Sequence, residues 1–281
     1  MKLFRHGPSG LESAGMLDRE GGMRDLSGVV EDISAEWLGT GGLAALRAID
    51  PFKLPVVAKN SRIGCPVAGV RQLIAVGLNY RAHAAEAGLP IPTEPIIFHK
   101  AITCLSGPND DVVLPANSTA GDWEIEVAIV IGQVTRNVSV NVAMAHVAGF
   151  SLANDVSERD WQLKRSGQWG KGKSFDTFGP LGPWLVTPDE IEAGNIPLTL
   201  SVNGQLKQSS NTRDMIFDTT FLVSYISSFQ TLLPGDVIMT GTPQGVGLGM
   251  KPPQYLRPGD QMALDGGPLG RQTQRVAATQ S

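Results

Sequence analysis

The sequence predicts an α+β protein dominated by β-structure, with a small N-terminal α/β module over residues 1–68 and a larger domain over 69–281. Three observations carry this. Glycine (33) and proline (19) are abundant while aromatic residues make up only 6%, the balance that many turns joining short strands produce. The apolar runs are short and rich in β-branched residues, and few stretches have helical spacing. The pattern also changes near residue 70, from a mixed segment to a strand-rich remainder.

In the N-terminal module, residues 15–26 read as a hairpin turning at Glu20-Gly21-Gly22. Residues 34–49 have helical spacing, with Trp37, Leu38, Leu43, Leu46 and Ile49 as apolar positions. Gly39, Gly41 and Gly42 should break this helix in two. In the larger domain, strands are expected at 72–76, 96–99, 111–114, 124–131, 148–154, 184–186, 198–202, 236–239 and 261–264, with a hairpin turn at Asn203-Gly204. Helices are expected at 80–88, 140–147, 157–167 and 218–229.

Composition excludes several functions. A net charge of −4 with no basic patch argues against nucleic acid. No apolar run approaches the ~20 residues that span a bilayer, and the N-terminus lacks the apolar core of a signal peptide. Two cysteines, Cys65 and Cys104, make no disulfide framework, so the expected compartment is a reducing cytoplasm.

The chemistry gathers in polar motifs set against apolar strands. In the run 122–132, Asp122, Glu124 and Glu126 would share one face of a strand, with Trp123, Ile125 and Val127 on the other. Three like charges on an otherwise apolar strand resist burial, and a hard divalent cation with oxygen ligands would offset them. A solvated edge strand would show the same local pattern. A fourth carboxylate, Asp155, follows in Asn154-Asp155-Val156. His83 and Glu86 are helical i, i+3 neighbours, either a general base with its orienting carboxylate or an ordinary surface ion pair. Lys171 and Lys173 lie in a Gly-rich loop that could grip a carboxylate or enolate oxygen, or simply be solvated. The loop 240–247 offers backbone N–H groups and Thr hydroxyls to an anion, and His99-Lys100 closes a strand that could face the same pocket.

Together these motifs resemble the fumarylacetoacetate hydrolase family. The resemblance rests on Gly-Leu-Asn-Tyr-x-x-His-x-x-Glu at 77–86, Pro-Ile-Ile-Phe-x-Lys at 95–100 and Asp-Trp-Glu-x-Glu-x-Ala at 122–128. It continues through Ala-Asn-Asp-Val-Ser-x-Arg-Asp-x-Gln at 153–162, Gly-Lys-Ser-Phe-Asp-Thr-Phe-Gly-Pro at 172–180 and Pro-Gly-Asp-Val-Ile-x-Thr-Gly-Thr-Pro-x-Gly-Val-Gly at 234–247.

The resemblance implies a mixed β-roll catalytic domain, a homodimer, and a divalent cation, usually Mg²⁺ and sometimes Mn²⁺. By motif position its ligands fall on Glu124, Glu126 and Asp155, while Asp122 matches a position that is usually not a ligand. The general-base pair falls on His83 and Glu86, in a segment that orders over the site with substrate, and the oxyanion-contacting lysine on Lys173. Arg81, Lys100, Arg159, Gln162 and Thr242 are the substrate-contact candidates. The implied reaction is cleavage of the C3–C4 bond of a 2,4-diketo acid (an acylpyruvate) to pyruvate and a second acid, by a hydrolase of carbon–carbon bonds in ketonic substrates. The N-terminal opening and Ser-Gly-Gln-Trp at 166–169 resemble the branch acting on 2,4-diketo-3-deoxy sugar acids in sugar-acid catabolism. The segment 263–270 departs from the commoner family ending. The rival readings are an oxaloacetate-type decarboxylase, a 2-hydroxy-dienoate isomerase and a non-catalytic keto-acid binder.

Overall fold

The computed structural model describes residues 1–279. Its centre is a mixed nine-stranded sheet. In chain order its strands are β1 (Lys2–His6), β2 (Ser13–Leu17), β3 (Met23–Asp25), β4 (Leu73–Gly77), β5 (Ile96–Lys100), β6 (Ile125–Ile131), β7 (Val147–Asn154), β8 (Leu185–Val186) and β9 (Val237–Met239). Their spatial order is β3-β2-β1-β8-β7-β6-β9-β4-β5. Only β9 and β4 pair in parallel. Strands β6 and β7 are buried along their whole length, which is why they read as continuous apolar runs rather than alternating ones.

A second sheet orders Gln205–Asn211, Pro197–Val202, Gln261–Asp265, Arg271–Ala278 and Val112–Leu114. Its last two long strands form despite the unusual 263–270 segment, joined through a short 3₁₀ turn at Gly267–Leu269. The helix Thr219–Phe229 buries Leu222, Val223 and Ile226, and Asp218 caps it by accepting from the Phe221 N–H.

The N-terminal hairpin is present, with Asp18 organising its turn through the N–H groups of Glu20 and Gly22. The expected helix at 34–49 does split, into Ala35–Gly39 and Gly42–Leu46, because Gly41 sits at φ 81°. Strand β1, which no alternation in the sequence announced, pairs with β8 and carries the hairpin onto the central sheet.

Three expectations need correction. The run 122–132 is not one strand. Gly121–Asp122 pairs with Ser157–Glu158, the chain breaks at Trp123-Glu124, and β6 starts at Ile125. Side chains replace ladder partners at the break: Asn154 Oδ1 accepts the Glu124 N–H and Gln208 Oε1 accepts the Ile125 N–H. The helix expected at 157–167 is only Arg159–Leu163, capped by Glu158, and the chain turns at Ser166 and Gly167, both with positive φ. The helix expected at 140–147 is one α-turn, Val140–Ala143, followed by a 3₁₀ turn.

Candidate active site

Register brings the acids together. β6 and β7 are antiparallel, with Asn154 opposite Ile125 and Ala153 opposite Glu126. Asp155, the residue after β7, therefore falls beside Glu124, and its N–H donates to the Glu124 carbonyl. Carboxylate oxygens of Glu124, Glu126 and Asp155 all lie within 4.8 Å of one another, and all three residues are buried. Asp122 does not join them. Its carboxylate accepts from the N–H groups of Trp123, Gly247 and Leu248 and from Arg159 Nε, so it organises the neighbouring loop.

Cations surround two members of the triad. Lys173 Nζ donates to Glu124 Oε2 at 2.6 Å and to Asp155 Oδ2 at 2.8 Å. Lys100 Nζ donates to Asp155 Oδ1 and to the Phe178 carbonyl. Arg159 Nη2 forms an ion pair with Glu124 Oε1 at 2.7 Å. Glu126 accepts from the Gly241 N–H and makes no ion pair among the described residues. The linked network thus holds four carboxylates (Asp122, Glu124, Glu126, Asp155) against three cations (Lys100, Arg159, Lys173). Burial, then the charges of Asp155 and Glu124, push the Glu126 carboxyl well above the usual range. For Glu124, burial acts the same way but Lys173 and Arg159 outweigh it, and its pKa is lowered. Burial disfavours the Lys173 ammonium, yet Asp155 and Glu124 hold its pKa above the ordinary value.

This donor set fits a divalent cation. Three convergent carboxylates are hard oxygen ligands, and Glu126, which has no cationic partner among the described residues, is the acid that a cation would stabilise in its ionised form.

Glu124 of the triad lines a cavity of about 240 Å³ whose other polar lining is His83, Arg159, Gln162, Lys173 and Thr242. His83 Nδ1 and Glu86 Oε2 are 2.9 Å apart on the short helix Arg81–Glu86, and Glu86 Oε1 accepts from the Gly245 N–H at 2.8 Å. Glu86 is therefore itself held in place, and His83 Nε2 is the ring nitrogen left free. Gly245 has φ 97°, so the Gly-rich loop of 240–247 supplies backbone donors to both Glu126 and Glu86.

The other expected contacts divide. Arg159, Gln162 and Thr242 line the cavity. Gln162 Oε1 accepts from Arg159 Nη1, leaving its amide N–H groups for a ligand. The Thr242 hydroxyl is engaged by the Ile125 carbonyl and Gln208. Arg81 and Lys100 do not line the cavity. Arg81 donates to the carbonyls of Asp214 and Met215, pinning the start of the His83 helix, and Lys100 is buried behind Asp155. Of the two lysines in the Gly-rich segment, Lys173 is buried because Gly170–Lys173 forms a helical turn, while Lys171 is exposed and donates to the Arg165 carbonyl. Sequence reasoning missed the aromatic wall of Phe98 and Trp169, whose signal is Gly77, where a side chain would strike the Trp169 ring.

No helix among the described residues is long and apolar enough to cross a membrane. Residues 72–277 match the model of the fumarylacetoacetate (FAA) hydrolase C-terminal family. A curated protein of Burkholderia lata, whose name gives no substrate, is 51% identical over 278 residues, covering 98% of this chain and 99% of its own. The chain is similar in structure to 2-hydroxyhepta-2,4-diene-1,7-dioate isomerase from Mycobacterium marinum (31% identity, TM-score 0.76, all of both chains covered). It is also similar to maleylpyruvate hydrolase from Sphingobium sp. SYK-6 in complex with manganese(II) and pyruvate (27% identity, TM-score 0.82, all of both chains covered). With its ordered motifs and its buried acidic triad, the chain belongs to the fumarylacetoacetate hydrolase family.

Proposed function

We propose that the protein is a divalent-cation-dependent hydrolase that cleaves the C3–C4 bond of 2,4-diketo acids, releasing pyruvate and a second carboxylic acid. The observation that carries this reading is His83, held by Glu86, facing a cavity whose floor is Glu124 with Lys173, with Glu126 and Asp155 clustered around Glu124. Binding a keto acid alone needs no oriented base. Glu124, Glu126 and Asp155 would hold Mg²⁺ or Mn²⁺, and the bound ion would supply Lewis-acid charge for the substrate's 1-carboxylate and 2-oxo group.

His83 Nε2 takes a proton from a water, and Glu86 stabilises the imidazolium that forms. The resulting hydroxide attacks C4. Collapse of the tetrahedral adduct breaks C3–C4, and the electron pair leaves as the enolate of pyruvate. Lys173 and Arg159 are the cationic donors on that side, and one well-placed donor contributes about 3–4 kcal/mol to such a step. The proton held by His83 is then available to C3, which completes pyruvate, while the new acid loses its own proton to solvent. Net charge supports the assignment: with all four carboxylates ionised around a bound divalent ion, the three cations and the ion leave +1, and an anionic keto acid or its enolate then brings the site near neutrality.

The isomerase relative favours a second reading, proton transfer on a 2-hydroxy-dienoate at the same site. Incubating the protein with acetylpyruvate and Mg²⁺ or Mn²⁺ separates the two. Stoichiometric pyruvate and acetate, abolished by EDTA, support hydrolysis. No pyruvate, together with ultraviolet changes on a dienoate, supports isomerisation.

A further inference from the structure

Away from its reacting end the cavity changes character. Glu124, Arg159, Gln162 and Lys173 are buried at its floor. Phe98 marks the boundary: Lys173 Nζ lies 5.5 Å from the centre of its ring, and Trp169 meets that ring edge-on at 5.6 Å. Gly77 makes room for this wall, since a Cβ there would stand 2.4 Å from the Trp169 Cζ3. Further out, Leu89, Leu163, Ile96 and Leu248 line the same cavity while 53%, 46%, 38% and 38% exposed. A scattered exposed leucine needs no explanation, but four large aliphatic side chains around one mouth form an apolar surface that something is built to cover. Beyond His83, Thr242 and the polar floor, no hydroxyl, amide or charged side chain among the described residues lines the cavity.

We infer that the acyl group on C4 of the substrate is apolar, an aliphatic or aromatic tail without hydroxyls or a distal carboxylate, seated against Phe98, Trp169, Leu163 and Leu248. The orientation rests on the proposed keto-acid reading, which places the charged end of the ligand on the polar floor. The polyol tail of a diketo-deoxy sugar acid would set hydroxyls against this wall, losing hydrogen bonds to water without replacement. A distal carboxylate would find no cation along the wall.

The test compares kcat/KM of the metal-loaded protein for acetylpyruvate, hexanoylpyruvate, benzoylpyruvate, succinylpyruvate and a 2,4-diketo-3-deoxy sugar acid. Each methylene that the wall covers should raise kcat/KM up to about fourfold, putting hexanoylpyruvate at least ~10-fold above acetylpyruvate, with succinylpyruvate and the sugar acid below both. Leu248→Gln and Leu163→Gln, changes at exposed positions that fold readily, should each reduce the hexanoyl-to-acetyl ratio about threefold or more. A sugar acid or succinylpyruvate that is cleaved best overturns the inference and leaves the reaction standing. If no diketo acid is cleaved, the reaction reading fails, and calorimetry on the same protein decides the inference. Tighter binding of 2-oxooctanoate and phenylpyruvate than of pyruvate and 2-oxoglutarate supports it, and the reverse order overturns it.

Discussion

Replacing Glu126 with Gln should make the metal-free protein more stable while removing its response to divalent cations. Glu126 is 1% exposed and its ligand oxygen lies within 4.8 Å of those of Glu124 and Asp155. At 4.8 Å or less and an effective dielectric of about 20, each pair of ionised carboxylates repels by at least roughly 3.5 kcal/mol, or roughly 7 for the two, and this repulsion opposes ionisation of Glu126. Lys173 offsets much of this, because its ammonium bridges the other two acids. Relieving uncompensated buried charge with a near-isosteric neutral group stabilises by about 1–4 kcal/mol in comparable cases. The Gln amide can still accept the Gly241 N–H. At about 2–4 °C per kcal/mol, the variant in EDTA should melt several degrees above wild type. Wild type should in turn gain about 2.7 kcal/mol from a cation present at a hundred times its Kd, and the variant should gain little. Differential scanning fluorimetry in EDTA and across a Mn²⁺ titration reads both effects. A variant that melts lower in EDTA yet shifts normally with Mn²⁺ would refute the assignment of Glu126 as the unpaired ligand.

Further outcomes follow from the same geometry. His83→Ala should lower kcat for diketo-acid hydrolysis by about 10²–10⁴ while the Mn²⁺-induced melting shift persists, and any oxaloacetate decarboxylation should fall less because no water is activated; equal losses would count against a general base. Lys173→Met removes the ion-pair partner of both Glu124 and Asp155, so the metal-free protein should lose about 3–5 kcal/mol and recover part of it when divalent cation is added, as read by chemical denaturation. Gly77→Ala pushes a methyl into Trp169 and should weaken binding of long-chain keto acids more than that of pyruvate, as measured by calorimetry. Burial pushes the Cys65 thiol up to about 11 from 9.0, so iodoacetamide should label it slowly at pH 8. Its proton is held more tightly in the folded than in the unfolded chain, so the thiol subtracts stability only as pH rises above about 9, and denaturation midpoints at neutral pH should not report it.

Much of the site was legible because it depends on local spacing. Carboxylates at 124 and 126 in an apolar run, a histidine three residues before a glutamate, and a lysine in a Gly-rich segment all stand out in the chain. Glycines of the 240–247 loop were visible too, although their use as donors to Glu86 and Glu126 appears only once the loop is folded against β6. Features decided by distant partners were not legible. The break before β6 exists because Asn154 and Gln208 take backbone N–H groups that a ladder would otherwise use. Asp122 shares the strand-like pattern of the ligands, yet the loop N–H groups of Gly247 and Leu248 and the guanidinium of Arg159 draw it away. Lys100 and Arg81 sit inside recognisable motifs, but one is spent on Asp155 and the other on backbone carbonyls. Strand β1 shows no clean alternation because the successive residues Leu3 and Phe4 are both buried, and its partner β8 lies far away in sequence. The polarity of the cavity wall is a sum over separate segments, so no single motif announces it.

In the proposed reaction His83 directs water at C4 of a diketo acid held over the acidic triad. The most direct measurement is mass spectrometry of the products formed from an acylpyruvate in heavy-oxygen water with Mg²⁺ or Mn²⁺. One solvent oxygen is expected in the carboxylate of the released acyl acid, and none in the carboxylate of pyruvate. Carbon dioxide in place of pyruvate, or a rearranged substrate with no label at C4, would contradict it.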